Sequence, residues 1–144
     1  MKFKVGLDAV HMILPLYPEP PSYPIERMLS LNYNDATAMR QLIGDLCVPY
    51  FNKASENFRT HVKESLRWML SGGYERQYPK AEQSAFEDIF DSDQDSCIGL
   101  PDNPRNFYIW LWEELFGNES WQIKDWSQYE YVPRYAAYWH SVRP

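Results

Sequence analysis

The sequence predicts a mainly α-helical fold, a single compact domain built around an antiparallel helix pair. Apolar residues recur at the three-to-four-residue spacing of helix faces through residues 34–71. The chain of 144 residues is within the size of one domain and can bury a core. Its hydrophobic content of 44% is typical of globular proteins. No internal repeat or long linker divides it, so residues 1–144 are expected to form one domain.

The N-terminal segment predicts a short strand followed by an extended proline-rich stretch. Residues Lys2–Leu7 alternate polar and apolar side chains, which is typical of a strand. The segment Pro15–Pro24 contains five prolines and therefore cannot form a regular helix. Asp8 and His11 interrupt the N-terminal apolar run, and no small-residue cleavage site follows. We interpret this run as part of the fold rather than as an export signal.

Two helices, over residues 34–47 and 49–71, form the predicted pair. Asn34 or Asp35 can cap the first helix, and Val48–Pro49 ends it because a residue before proline avoids helical geometry. Proline also suits the first turn of the second helix, which ends at Gly72–Gly73. The two apolar stripes contain Met39, Leu42, Ile43, Leu46 and Cys47, and then Phe51, Ala54, Phe58, Val62, Leu66, Met69 and Leu70.

A third helix is predicted over Pro79–Phe90 and a fourth from the Asp102-Asn103-Pro104 signature to Gly117. Residues 107–112 of the fourth helix read FYIWLW, which leaves apolar side chains on almost every side. This helix either lies at the buried centre of the fold or presents a second face to a partner.

The C-terminal region carries weaker signals. Trp121 and Ile123, and then Tyr129 and Tyr131, alternate in the manner of short strands. A small β element from the N-terminus and residues 121–132 could therefore complete the domain. A last helix could form over Pro133–Val142.

Charge is unevenly distributed along the chain. Residues 81–119, which we call the acidic third, hold ten carboxylates and a single basic residue, Arg105. Their net charge is −9, whereas the rest of the chain sums to +3 and the whole to −6. The acidic third also contains the aromatic residues Phe107, Tyr108, Trp110, Trp112 and Phe116, and acid combined with aromatic rings suits binding to a basic macromolecule.

The loop Asp91–Asp102 partly resembles a calcium-binding loop. Carboxylates at Asp91, Asp93 and Asp95 alternate, as they do where an EF-hand loop wraps its ion. Ser96, however, occupies the position that needs glycine, and Asp102 replaces the long bidentate glutamate. We therefore predict no calcium site and interpret the segment as a solvated acidic loop.

No other pattern predicts catalysis, a metal or a cofactor. The three histidines have no mutual spacing typical of a metal site, and Cys47 lies on an apolar helical face as a core residue. The adjacent Glu113 and Glu114 point about 100° apart on a helix, which is poor geometry for shared acid–base chemistry. We predict that the protein is not an enzyme and that it uses no cofactor.

A basic stripe on the second helix, beside Glu56 and Glu64, has three interpretations, which are a phosphate contact, a solvated face and a partner for the acidic third. Arg59, Lys63 and Arg67 lie four residues apart and share one face, which could contact phosphates. We favour pairing with the acidic third of the chain itself. The overall negative charge also argues against nucleic-acid binding, because phosphate affinity depends on lysine and arginine.

These observations favour a protein-binding module that neutralises a basic partner, such as a bacterial nuclease toxin opposed by its immunity protein. The alternatives are a small-ligand-binding protein or enzyme with an aromatic-lined pocket, and an acidic structural subunit. No run of 18 apolar residues exists, so we expect a cytoplasmic protein without membrane contact. The predicted partner contacts are Glu87, Asp88, Asp91, Asp93, Asp95, Trp110, Trp112 and Trp121.

Overall fold

The computed structural model describes residues 2–11, 31–80 and 101–133. Over these ranges the protein is mainly helical with a small two-stranded sheet, which confirms the predicted fold class. In chain order the elements are β1 (Phe3–Val5), α1 (Leu7–His11), α2 (Ala36–Leu46), α3 (Val48–Lys53), α4 (Glu56–Leu70), α5 (Gly73–Gln77), α6 (Arg105–Phe116), a 3-10 turn (Trp126–Gln128) and β2 (Tyr129–Tyr131).

Helix α2 confirms the first member of the predicted pair. The Asp35 carboxylate caps it by accepting hydrogen bonds from the backbone N–H groups of Thr37 at 3.0 Å and Ala38 at 3.3 Å. Such a cap satisfies amide groups that have no partner within the helix. The apolar stripe of α2 is buried, as its helical spacing predicted, and consists of Met39, Leu42, Ile43 and Leu46.

The second predicted helix forms as two helices, α3 and α4. Ala54 is extended, with φ −74° and ψ 158°, and interrupts the predicted 49–71 span. The Ser55 hydroxyl then caps α4 by accepting a hydrogen bond from Phe58 N at 3.2 Å. A continuous helix was therefore wrong at this point, because a serine side chain can cap a new helix at little cost. Gly72, with φ 89°, confirms the predicted left-handed end of α4.

Helix α6 lies at the centre of the fold. It packs against both α2 and α4, so the predicted pair is joined through it. Four of its side chains are buried, and Ile109 and Trp110 pack partly buried against the same core. This central position accounts for apolar residues on almost every side of the helix. The four buried residues are Phe107, Tyr108, Leu111 and Trp112.

The sheet joins the two ends of the described chain. Strands β1 and β2 run parallel, with Phe3 opposite Tyr129 and Val5 opposite Tyr131. Parallel strands need a long crossover connection, which here contains every helix of the described residues. The pairing confirms the predicted β element, and β1 also packs against α4.

Trp121 and Ile123 do not form the predicted strand. The Ser71 hydroxyl donates a hydrogen bond to the Trp121 carbonyl at 3.0 Å and accepts one from Ile123 N at 3.0 Å. A side chain at the end of α4 thus satisfies backbone groups that a neighbouring strand would otherwise pair.

Several predicted segments lie outside the described residues. They are the proline-rich stretch Pro15–Pro24, most of the predicted helix Pro79–Phe90, nearly all of the loop Asp91–Asp102 and nearly all of Pro133–Val142. Pro79 and Lys80 form a turn. Among the described helices, none combines the length and the apolar composition that a membrane span requires.

Candidate functional site

A cleft of about 650 Å³ lies where α4, β1, β2 and the segment between α6 and β2 meet. Its walls hold three basic and three acidic side chains, so their formal charges cancel. Two aromatic rings and several uncharged polar groups complete the lining, which we call the charged cleft. The lining residues are Phe3, Lys63, Glu64, Arg67, Glu119, Ser120, Gln122, Ile123, Lys124, Asp125, Gln128 and Tyr129.

Glu64 is the most deeply buried charged residue of this cleft, with 8% of its surface exposed. Its Oε1 accepts a hydrogen bond from the Tyr129 hydroxyl at 2.5 Å and another from Arg67 Nε at 3.0 Å. Among the described residues, no hydrogen-bond donor reaches Oε2. The carboxylate is therefore held firmly at one oxygen while the second oxygen keeps its accepting capacity.

The Tyr129 hydroxyl keeps its proton and donates it in a hydrogen bond to the Glu64 carboxylate. Burial, and then its hydrogen bond to Glu64, raise the pKa of Tyr129 well above the ordinary tyrosine value. Both effects disfavour the phenolate, because a negative charge would lose solvation and would face the carboxylate of Glu64.

Arg67 connects the floor of the cleft to its outer wall. Its Nη1 donates to the Ser120 carbonyl at 2.5 Å, and its Nη2 lies 3.0 Å from the Glu119 carboxylate. The guanidinium also lies over the Trp112 ring, 5.1 Å from the centroid. These contacts fasten the segment after α6 onto α4.

Lys63 adds a second basic partner for Glu119, with Nζ and the carboxylate 2.6 Å apart. The hydrogen bond from Lys63 is the main cause of a lowered pKa for Glu119, and Arg67 contributes further. The predicted internal pairing of the basic stripe is therefore confirmed for Lys63 and Arg67. Arg59, the third member, instead donates to the Asn52 carbonyl at 3.4 Å.

The described part of the acidic third is largely neutralised within the fold. Arg40 lies 2.6 Å from the Glu113 carboxylate and 3.8 Å from that of Glu114, so the two acids share one guanidinium. Together with Glu119, three of the four described carboxylates of the acidic third are in ion pairs. The predicted contacts Glu87, Asp88, Asp91, Asp93 and Asp95 lie outside the described residues, and their role in partner binding stays a prediction.

The three tryptophans predicted as anchors differ in their surroundings. Trp112 is 1% exposed, and its Nε1 donates to the Glu119 carbonyl at 2.6 Å. Trp121 is half-buried, with the Arg105 guanidinium 5.0 Å from its ring centroid. Trp110 is half-buried on α6 against the core. In this conformation Trp112 offers a partner almost no surface, whereas the other two offer part of a ring.

A second concave surface is formed by residues that come just before the acidic third in the chain. This aromatic groove, of about 380 Å³, is lined by Tyr74, Gln77, Tyr78, Pro79 and Lys80. Tyr78 is 40% exposed and is one of two large apolar residues with that much surface among those described. Its ring meets Tyr131 edge to face, with centroids 5.8 Å apart.

The remaining candidate groups, a cysteine and a histidine, are buried or partly buried. Cys47 is buried in the core, as predicted, and burial raises the pKa of its thiol to about 12. His61 is partly buried rather than fully exposed, and burial lowers its pKa. Within residues 2–11, 31–80 and 101–133, no three potential ligands converge as a metal site would require.

Sequence analysis missed Glu64 and Tyr129 as partners. Glu64 lies off the apolar stripe of the second predicted helix, yet it is buried together with its neighbours Ser65 and Trp68. The buried face of α4 is thus wider than its apolar stripe, and the Tyr129–Tyr131 alternation was the only sequence signal for the opposing strand. The aromatic-lined pocket of the alternative hypothesis differs from the charged cleft, whose lining holds two aromatic rings among charged groups.

Comparison with known proteins adds no family or structural relative. No protein-family model, no curated protein and no solved structure matches this chain. The functional argument therefore depends on the chemistry of the charged cleft, the aromatic groove and the acidic third.

Proposed function

We propose that the protein is a binding module that contacts a basic protein partner through residues 81–100. The observation that carries this proposal is the separation of charge. Residues 81–100 contain six carboxylates and no basic side chain. The described residues contain eleven lysines and arginines and twelve carboxylates, so their charges nearly cancel.

The ion pairs of the described residues strengthen this argument. Arg40, Lys63 and Arg67 pair with acids that follow position 100, so these acids already have basic partners within the fold. The excess negative charge of the chain is accordingly concentrated in residues 81–100. A cluster of one sign speeds encounter with an oppositely charged protein and disfavours partners of the same sign.

Exposed aromatic surface shortly before these acids in the chain supports the same proposal. Tyr78 lies three positions before residue 81 in the chain. It lines the aromatic groove and is 40% exposed. Tyrosine supplies a large contact area together with a hydroxyl group, and it is enriched where interfaces are strongest. Trp110 and Trp121, each half-buried, are further candidate anchors.

Within this class we propose an inhibitor, in the manner of an immunity protein that neutralises a bacterial nuclease toxin in the cytoplasm. A nuclease needs a basic surface to hold phosphates, and a carboxylate cluster can occupy that surface in their place. This finer proposal depends on the same charge distribution and can fail while the binding proposal stands.

The test compares two variants with the same change in charge. The first replaces Glu87, Asp88, Asp91, Asp93 and Asp95 by the corresponding amides. The control neutralises five exposed acids elsewhere, which are Asp45, Glu56, Glu75, Asp102 and Glu130. Each protein is used to capture partners from its native cells, and association with the captured basic protein is then followed by stopped flow across a range of salt concentrations.

The first variant should associate about tenfold more slowly at low salt and show a flatter salt dependence. The reason is that the screening length falls from about 10 Å at 0.1 M salt to about 3 Å at 1 M. The control should have an association rate and a salt dependence closer to those of the wild type. If the first variant binds as fast as the wild type at low salt, residues 81–100 are not the contact surface. If the partner is bound but its activity is not reduced, the inhibitor proposal fails alone.

A further inference from the structure

The charged cleft has features of a small-molecule site that is separate from the proposed protein-binding segment. Its volume of about 650 Å³ lies within the range of ligand pockets, which is about 300–1,000 Å³. Glu64 on its wall has 11% of its side chain exposed, and its Oε2 receives no hydrogen bond from a described residue. This oxygen is not sealed off from solvent, so it can accept a hydrogen bond from water or from a ligand in the cleft.

Charge balance decides the class of ligand. Lys63 and Arg67 already pair with Glu119, and Arg67 pairs with Glu64 as well. A strongly charged ligand would have to break these pairs and leave a poorly solvated charge behind. An uncharged ligand that carries hydroxyl groups can use the remaining lone pairs and N–H groups without disturbing them.

The remaining lining suits such a ligand. Gln122 and Gln128 offer amide groups that both donate and accept hydrogen bonds. Phe3 and Tyr129 lie with ring centroids 5.5 Å apart and offer apolar surface. A sugar ring presents hydroxyls at its edge and C–H groups on its faces, so it matches both kinds of group.

We infer that the charged cleft binds an uncharged, hydroxyl-rich small molecule of the mono- or disaccharide class, with a ligand hydroxyl donating to Glu64 Oε2. Tyr129 and Arg67 hold the carboxylate from its other oxygen, so the acceptor is already oriented before a ligand arrives. Such preorganisation reduces the entropy lost on binding.

The experiment follows backbone amide shifts of the isotope-labelled full chain by NMR. The probes are glucose, galactose, mannose, N-acetylglucosamine, maltose and lactose, with glucose 6-phosphate and glutamate as charged comparisons. At least one uncharged saccharide should give saturable shifts at Gln122, Lys124 and Gln128 in the millimolar range, a usual affinity for weak ligands. Glucose 6-phosphate and glutamate should bind more weakly.

Three substitutions link the binding to the proposed contact. Glu64→Gln should weaken the best saccharide about tenfold, because it removes a charge-assisted hydrogen bond. Tyr129→Phe keeps the ring and should change the affinity less than about threefold. The matched control Glu56→Gln alters an exposed acid in the first turn of the same helix and should leave the affinity unchanged.

The proposal is overturned if no saccharide gives saturable shifts, if a charged probe binds more tightly than all of them, or if Glu64→Gln binds as the wild type does. If Glu64→Gln does not fold, Gln122→Ala at the exposed rim takes its place. That substitution should weaken the saccharide about threefold through one lost neutral hydrogen bond, and an unchanged affinity contradicts the inference. None of these substitutions changes residues 81–100, so this test and that of the proposed function can fail independently.

Discussion

Helix α4 meets strand β2 at two neighbouring contacts with opposite chemistry. Glu64 and Trp68 lie one turn apart on the helix, and Tyr129 and Tyr131 lie two residues apart on the strand, so each pair shares a face. Glu64 hydrogen-bonds to Tyr129 at 2.5 Å, whereas Trp68 stacks on Tyr131 with ring centroids 5.0 Å apart and an interplanar angle of 11°.

The two contacts differ in how much space surrounds them. The Glu64–Tyr129 contact opens into the charged cleft, where water can reach groups that the protein leaves unpaired. At the Trp68–Tyr131 contact Trp68 is 4% exposed. Gly73 lies so close to the Trp68 ring that an added Cβ would overlap it. One backbone arrangement therefore supports both a tightly packed junction and an open polar cleft, and the side chains alone decide which of them forms.

The largest expected effect is that of Arg67→Met, which tests the polar contact. It should lower the free energy of unfolding by about 3 kcal/mol, near the low end for removing one partner of a buried ion pair. The physical reason is that Glu64 would keep its charge while losing one of its two donors. Urea denaturation followed by tryptophan fluorescence measures the change.

Two further variants separate pairing from general surface effects. Arg59→Met removes an arginine from the same stripe, whose described hydrogen bond is a long one of 3.4 Å, and should cost about 0.5 kcal/mol or less. The double variant Arg67→Met with Glu64→Gln should recover part of the loss, because the buried charge is removed as well. A cost as small as that of the control would show that the network does not stabilise the fold.

The next effect concerns the aromatic contact. Gly73→Ala should destabilise the protein by about 1–3 kcal/mol, because an added Cβ would overlap the Trp68 ring. Gly44→Ala is the matched control, since nothing lies within 4 Å of a Cβ at that helical position. That control should stabilise by about 0.5–1 kcal/mol through helix propensity. Thermal unfolding that shifts both variants in the same direction would contradict the packing argument.

The smallest expected effect is on the pH dependence of stability, and it arises from one carboxylate of the charged cleft, that of Glu119. Lys63 and Arg67 lower the pKa of Glu119 from its ordinary value of 4.5, so the folded protein binds a proton here less readily than the unfolded chain. The resulting stabilisation is complete above pH 4.5 and is lost as the pH falls through the folded-state pKa. Denaturation midpoints between neutral and acidic pH should therefore fall less steeply in Glu119→Gln than in the wild type. Parallel curves for the two proteins would show that this carboxylate contributes nothing.

Local signals in the sequence were sufficient for the longer helices, α2, α4 and α6, but they did not predict the short helices α1 and α5. The spacing of Met39, Leu42 and Leu46 predicted the buried face of α2, and residue type left two candidate caps, Asn34 and Asp35, of which Asp35 is the cap. The interruption at Ala54–Ser55 was missed because the apolar stripe continues across it, although Ser55 is itself a good capping residue. Periodicity reports which face is buried, but it does not report whether the backbone is continuous.

The candidate site was less accessible to prediction. Glu113 and Glu114 appeared unsuited to act together, yet Arg40, 73 residues from Glu113, lies within ion-pair distance of both. The internal pairing of Lys63 and Arg67 followed from charge alone, but its partner Glu119 could not be chosen among ten acids without the tertiary fold. Charge complementarity is long-range and unspecific, whereas an ion pair requires a particular geometry.

The sequence by itself determined the mainly helical class, the buried face of α2 and the concentration of negative charge in one third of the chain. These properties depend on residues close together in the chain or on composition. The tertiary structure alone decided the parallel register of β1 and β2, the central position of α6 and the contact between Glu64 and Tyr129, which are 65 residues apart. The physical reason is that a polar residue on a helix is placed against solvent or against a partner only when distant segments pack together, and a local pattern carries no record of that partner.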